Sequence, residues 1–235
     1  MKFTKAQTNG NDFVIVNKEL ACGVERSYIK KLASRQFGIG CDQVIFVGKG
    51  VGNRYVAEVF NQDGSEARMC GNGACAVGKY VKEVLKDRNA DKIELLISGA
   101  VYQVWSNDKE FTVSFPRPEI VGKNMVLTGN KHLVLQVENI ENIENLDNLL
   151  AEHKDCNLHF AKLINEKTIR LKTFERGVGQ TTACGSGAVA VTFLLNLQGK
   201  IRVVHDGGES IVEVFGDSVN LTTTPILTFE GTTYE

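Results

Sequence analysis

The sequence predicts an α+β protein built of two similar halves, each a mostly antiparallel sheet wrapped around one central helix. Three observations lead there. A phrase occurs twice, CGNGACAV at 70–77 and CGSGAVAV at 184–191. Each copy follows an alternating polar and apolar segment, RYVAEVF (54–60) and KTIRLKTF (167–174), as in half-buried strands. Each copy also opens a helix-like apolar stretch. The strand–helix alternation of a dinucleotide-binding fold is missing.

The repeat extends beyond the phrase. Cys70 and Cys184 lie 114 positions apart, and the same shift carries Gln43 to Asn157, Phe46 to Phe160 and Phe60 to Phe174. Nearer the start, GNDFVIV (10–16) resembles GNKHLVL (129–135). The order Gly-Asn, then Gln or Asn, then Cys-Gly-x-Gly-Ala therefore occurs twice. The period is too long for a solenoid.

In chain order, the first helix is expected from about Gly73 to Lys86, with Val77, Tyr80, Val81, Val84 and Leu85 on one face. Strands follow at KIELLIS, YQVWS and FTVSF. The prolines of FPRPEI (115–120) then interrupt the pattern. The boundary is placed there, giving halves 1–116 and 117–235, with the last strand free to return to the first half. The second helix is expected from about Gly187 to Asn196. It is apolar on nearly every side, so it must be buried. Strands IRVVH and IVEVF close the second half.

Composition narrows the function. Of 235 residues, 43% are hydrophobic and 23% charged, the ordinary globular range. Net charge is −1 and no basic run is longer than a few residues, which argues against nucleic acid as a partner. GAVAVTFLLNL is too short to span a bilayer. The first residues lack the apolar core of a signal peptide, so reduced thiols and a cytoplasmic location are expected. Six cysteines form no Cys-x-x-Cys, and with four histidines a metal site is not expected. Cys22, Cys41, Cys75 and Cys156 read as small core hydrophobes.

Cys70 and Cys184 read differently. Glycines at a helix start let a ligand approach the backbone. The first N–H groups have no partner in the helix and bind anions. The same position should lower a cysteine's pKa. Two such helix ends brought together make a pocket with two activated sulfurs and a doubled anion cradle. Two equivalent bases suit stereoinversion at carbon, one thiolate taking a proton from one face while a thiol delivers one to the other. An anion-binding site without catalysis would carry the same glycines. Asn11 and Asn130 read as turn residues or site residues, and His132 alone is undecided between structure and function.

The sequence resembles the diaminopimelate epimerase family over most of its length. The resemblance rests on GNDFVIV (10–16), GCDQVIFV (40–47), FNQDGSEARMCGNGA (60–74), GNKHLVL (129–135), CNLHF (156–160) and FERGVGQTTACGSGA (174–188). It implies cofactor-independent interconversion of LL- and meso-diaminopimelate, in lysine and peptidoglycan precursor biosynthesis. Cys70 and Cys184 would be the acid/base pair. The backbone at Gly71, Asn72, Gly185 and Ser186 would cradle the carboxylate at the reacting carbon. Asn11, Gln43, Asn61, Asn130, Asn157, Glu175 and Arg176 would hold the substrate, mainly its distal end, and His132 and Glu175 would tune the cysteines. The chemistry agrees, since Arg176 offers a planar fork for a distal carboxylate and Glu175 a counter-charge for its ammonium. The small-molecule substrate needs no cofactor or metal, and a homodimer is compatible with all of this.

Four departures stand out. Lys131 replaces the family's usual proline after Asn130, Gln180 replaces a usual Glu, Ser186 stands for a common Thr, and 115–130 is shortened. Three competing readings remain: a two-cysteine racemase of another amino acid such as histidine, a non-catalytic amino-acid-binding relative, and a phenazine-type isomerase. The distal polar set disfavours the first, and retention of both cysteines disfavours the other two.

Overall fold

The structure is a computed structural model that describes residues 1–20, 25–87 and 90–234; Cys22 lies outside them. The first half contains β1 (Lys2–Thr8), β2 (Asn11–Asn17), α1 (Arg26–Ala33), β3 (Gln43–Lys49), β4 (Arg54–Asn61), the central helix α2 (Gly71–Glu83), β5 (Lys92–Ile97), β6 (Ala100–Asn107) and β7 (Glu110–Pro116). The second contains β8 (Glu119–Gly122), β9 (Met125–Thr128), β10 (Asn130–Gln136), α3 (Leu146–Glu152), β11 (Asn157–Asn165), β12 (Thr168–Glu175), β13 (Gly179–Thr181), the central helix α4 (Gly185–Leu194), β14 (Lys200–Val204), β15 (Glu209–Phe215), β16 (Ser218–Thr223) and β17 (Ile226–Thr232).

The pairings repeat. Within the first half β2–β3 is parallel, β3–β4 antiparallel, β4–β5 parallel, and β5–β6–β7 antiparallel. Within the second, β10–β11, β11–β12, β12–β14 and β14–β15–β16 follow the same alternation. Even the register agrees: Phe13 opposes Gln43 as His132 opposes Asn157, and Val44 opposes Phe60 as Leu158 opposes Phe174. An antiparallel seam between β7 and β16 joins the two sheets into one ladder, with Thr112 and Thr222 hydroxyls 2.8 Å apart. One strand crosses between the halves: β17, the last of the second, pairs with β1 of the first, while β8, which follows β7 as β17 follows β16, pairs with β9.

Both central helices start two residues earlier than their spacing predicts. Cys70 and Cys184 are the N-caps, held extended at φ −138° and −131°, and the glycines that follow already have helical geometry. The helices also stop early, because Lys86 and Asn196 turn left-handed at φ 53° and 50°. Each helix lies in the core its sheet encloses. Val77, Tyr80 and Val81 pack in with Val104 and Val113, and Val189 and Val191 with Val203 and Val212. Each such fully buried side chain contributes roughly 1.5–3 kcal/mol. Helix α4 is buried from Gly185 to Thr192, as its all-round apolar surface requires. Cys41, Cys75 and Cys156 are buried, and the Cys75 thiol donates to the Phe111 carbonyl at 3.4 Å. Among the described residues no helix is long and apolar enough to cross a membrane.

Candidate active site

The two helix starts meet at one cavity of about 370 Å³. Their approach requires glycine. A Cβ on Gly185 would lie 2.8 Å from Asn72 Oδ1 and 3.1 Å from the Asn72 nitrogen, and one on either Gly71 or Gly185 would strike Leu221 Cδ2 at 2.7 Å. Repetition of Cys-Gly-x-Gly thus delivers two N-cap cysteines to one space.

Cys70 and Cys184 both line the cavity, and so do Gly71, Gly185 and Ser186. Asn11, Gln43, Asn61, Asn130, Asn157, Glu175 and Arg176 line it too. Asn72 and His132 do not. Asn72 is buried at the helix junction, with neither side-chain polar atom bonded. His132 is fully buried and packs against His159.

A hydrogen-bond frame holds the lining in place. Asn11 donates to Asp42 Oδ2 at 2.9 Å, which leaves its oxygen facing the Cys70 thiol at 3.8 Å. Gln43 donates to Asn61 Oδ1 at 3.0 Å, and Asn130 donates to the Met69 carbonyl at 2.7 Å. Asn157 Oδ1 accepts from the Arg176 backbone N–H at 2.9 Å, while the Arg176 side chain is exposed at the rim. Glu175 Oε1 accepts from the Thr181 hydroxyl at 2.7 Å.

The two sulfurs are capped differently. Cys70 Sγ accepts from the Gly73 N–H at 3.3 Å, whereas Cys184 Sγ makes no such cap bond and lies 3.6 Å from Ser186 Oγ. The helix-start position was expected to favour thiolates, and the structure corrects this. Burial pushes the Cys70 thiol up to about 12 against the opposing Gly73 N–H. Burial and then the Glu175 carboxylate push Cys184 well above its ordinary value. A helix dipole is worth roughly 0.3–1 kcal/mol in exposed settings, too little to offset loss of water around a thiolate. Glu175 is pushed up to about 7, chiefly by burial, so it exchanges its proton near neutrality beside Cys184.

Several contacts around the cavity carried no signal in the sequence. Asp42 holds Asn11 on one oxygen and the Arg35 guanidinium on the other at 2.8 Å. It stands within GCDQVIFV, but a lone acid in a loop is usually solvated. Lys131 and Asp155 pair at 2.8 Å across the cavity lining. Only the parallel pairing of β10 and β11 brings them together. Thr181 is assigned by its bond to Glu175.

The cavity can be set beside known proteins. The family described as diaminopimelate epimerase matches residues 3–119 and 124–226. A diaminopimelate epimerase of Methanocaldococcus jannaschii is 30% identical over 288 aligned positions, covering 98% of each chain. One from Xylella fastidiosa strain M23 is 31% identical over 277, covering 100% of this chain and 96% of the relative. These alignments are longer than the chain, so the relatives carry segments it lacks. Among solved structures, a hydroxyproline epimerase from Agrobacterium vitis with bound trans-4-hydroxy-L-proline superposes with a TM-score of 0.75 at 10% identity, covering 98% of this chain and 90% of that one. A predicted epimerase from Pseudomonas aeruginosa gives 0.75 at 12% identity, covering 100% and 99%. The structural likenesses establish the shared α+β fold; the sequence matches, running nearly end to end, establish that this chain belongs to the diaminopimelate epimerase family and is an isomerase.

Proposed function

We propose that the protein epimerises LL-diaminopimelate to meso-diaminopimelate without a cofactor, through a thiolate–thiol pair at Cys70 and Cys184, and so serves lysine and peptidoglycan precursor synthesis. The observation that carries this reading is the meeting of two N-cap cysteines at one cavity. One sulfur abstracts the α-proton and the other protonates the opposite face, with roles exchanged in reverse. The substrate α-carboxylate sits against the free N–H groups of both helix starts, which spread the charge that develops as the proton leaves.

The distal amino-acid end meets Asn61, Asn157, Glu175 and Arg176. A zwitterionic end needs both signs of charge, and an apolar amino acid would leave them unpaired. The high thiol pKa values call for help in forming a thiolate. For Cys184 that help is Glu175, which accepts a proton near neutral pH. His132 is assigned a tuning role on the same side.

The test is incubation with LL-diaminopimelate in D₂O, following stereochemistry and α-deuteration together. The expected result is meso product carrying deuterium at the inverted centre, with no added pyridoxal phosphate or metal. Turnover only after adding pyridoxal phosphate to dialysed enzyme would overturn the two-thiol mechanism. Turnover of histidine but not diaminopimelate would reassign the substrate.

A further inference from the structure

The two halves differ most sharply beneath their helix starts. The shared register makes Phe13 the counterpart of His132, Ile45 of His159 and Val59 of Thr173. A Cβ on Gly73 would touch Ile45 Cδ1 at 3.0 Å, and one on Gly187 would strike His159 Cε1 at 2.3 Å. The first half therefore fills this place with three apolar side chains. The second fills it with two imidazoles and a hydroxyl, all buried. Since the apolar version packs on the same scaffold, stability does not require the polar one.

The polar groups form a chain. His132 Nδ1 lies 2.8 Å from His159 Nε2, and His159 Nδ1 lies 3.1 Å from Thr173 Oγ1. His132 Nε2 is buried without a partner among the described residues. The Cys184 sulfur and one nitrogen of each ring lie within 4.8 Å of one another. These donor types would also suit a soft cation, but both nitrogens of His159 are already engaged, and a cation would have to break the His132–His159 bond.

Burial keeps both rings neutral, with His132 held down to about 3. A neutral imidazole carries one N–H, so the bond between the rings ties their tautomers together. If Thr173 donates to His159 Nδ1, then His159 Nε2–H donates to His132 Nδ1, and the His132 proton must sit on Nε2. We propose that His159, backed by Thr173, is a positioning residue that holds His132 in this Nε2–H tautomer, giving the Cys184 side of the pocket a fixed donor for a thiolate. This rests on the reading of Cys184 as an acid/base group. The other titratable groups facing the chain are Glu175 and Cys70 towards the sulfur, and His205 towards His159. His205 is bonded to Ser210 Oγ at 2.9 Å, with Arg170 and Asp206 beyond it.

The experiment is site-resolved alkylation of the full-length enzyme by iodoacetamide across pH, read by peptide mass spectrometry, with turnover measured alongside. His159→Ile installs the residue the first half uses. Cys184 should then alkylate about threefold or more slowly at pH 8 and titrate at higher pH, while Cys70 titrates as before. Turnover should fall through kcat, with KM little changed. His159→Gln, whose amide N–H can stand in for Nε2–H, should recover most of the Cys184 reactivity. Equal Cys184 profiles in the parent and both variants, a lower Cys184 titration, or an equal shift at Cys70 would overturn the proposal. If His159→Ile does not fold, His159→Gln against Thr173→Val decides by the same criterion, with Thr173→Val alone expected to slow Cys184. Failure of the underlying reading looks different: Cys184→Ala would then retain epimerisation.

Discussion

The two halves share strand register, helix placement and an N-cap cysteine, yet they surround their sulfurs differently. Cys70 receives the Gly73 N–H and faces Asn11, above Phe13, Ile45 and Val59. Cys184 has Glu175 and Ser186 near it, above His132, His159 and Thr173. Glu175 itself stands where the first half has Asn61. Pseudo-symmetry brings two N-cap sulfurs to one cavity. The substitutions between halves then make them chemically unequal, with the ionisable groups gathered around the second.

The largest expected effect tests what the halves share. Cys70→Ala and Cys184→Ala should each lower epimerisation by at least about 10³-fold with unchanged circular dichroism, since one base cannot serve both faces. Near-parental turnover in either variant would make that cysteine structural. The next effect tests the asymmetry. Glu175→Gln should cost about 10²-fold or more and remove an ionisation near pH 7 from the rate profile, because the raised carboxyl of Glu175 no longer titrates. A surviving limb near 7 would assign it elsewhere.

Arg176→Ala should act on binding, raising KM by an amount equivalent to roughly 1.5–3 kcal/mol with a smaller change in kcat. Isothermal calorimetry showing unchanged affinity would remove Arg176 from the distal subsite.

A stability measurement compares the halves without substrate. His132, His159 and His205 are held below their ordinary value by burial, His132 to about 3 and His205 to about 4. As pH falls below about 6.5, the unfolded chain takes up protons that the native state refuses. Stability is therefore present above that value and lost towards the native pKa values, by up to about 1.4 kcal/mol per pH unit for each histidine. The first-half counterpart of His205 in this register is Ile97. His205→Ile should make the urea midpoint less sensitive to pH between 7 and 5. An unchanged slope would show that His205 is not protonated on unfolding in that range.

The smallest effect lies at the rim. Lys131 and Asp155 are both exposed, so water and salt screen their pair and it adds little to stability. Asp155→Asn should leave stability nearly unchanged, and any rise in KM should shrink as salt is added. A salt-independent change would point to a shape effect.

Much of this was legible because a duplicated sequence is its own control. The matching of Phe60 with Phe174 and Gly73 with Gly187 reappears as strand register and helix packing. The helix bounds were less legible, because glycine's low helix propensity hides the fact that the first turn begins on it. The role of Asp42 and the Lys131–Asp155 pair depend on parallel strand pairings between residues about thirty positions or fewer apart, and no local pattern encodes such a pairing.

By itself the sequence determined the two-half α+β architecture, the burial of both central helices and the family. These follow from periodicity and from motifs long enough to be specific. Only the tertiary structure decided the protonation chemistry. A pKa depends on how much water is excluded and which charges face the group, and both arise from residues far apart in the chain. That is why two thiols expected to ionise readily at helix starts are instead held protonated by burial, while the carboxyl of Glu175, an ordinary acid in the sequence, is pushed up to about 7.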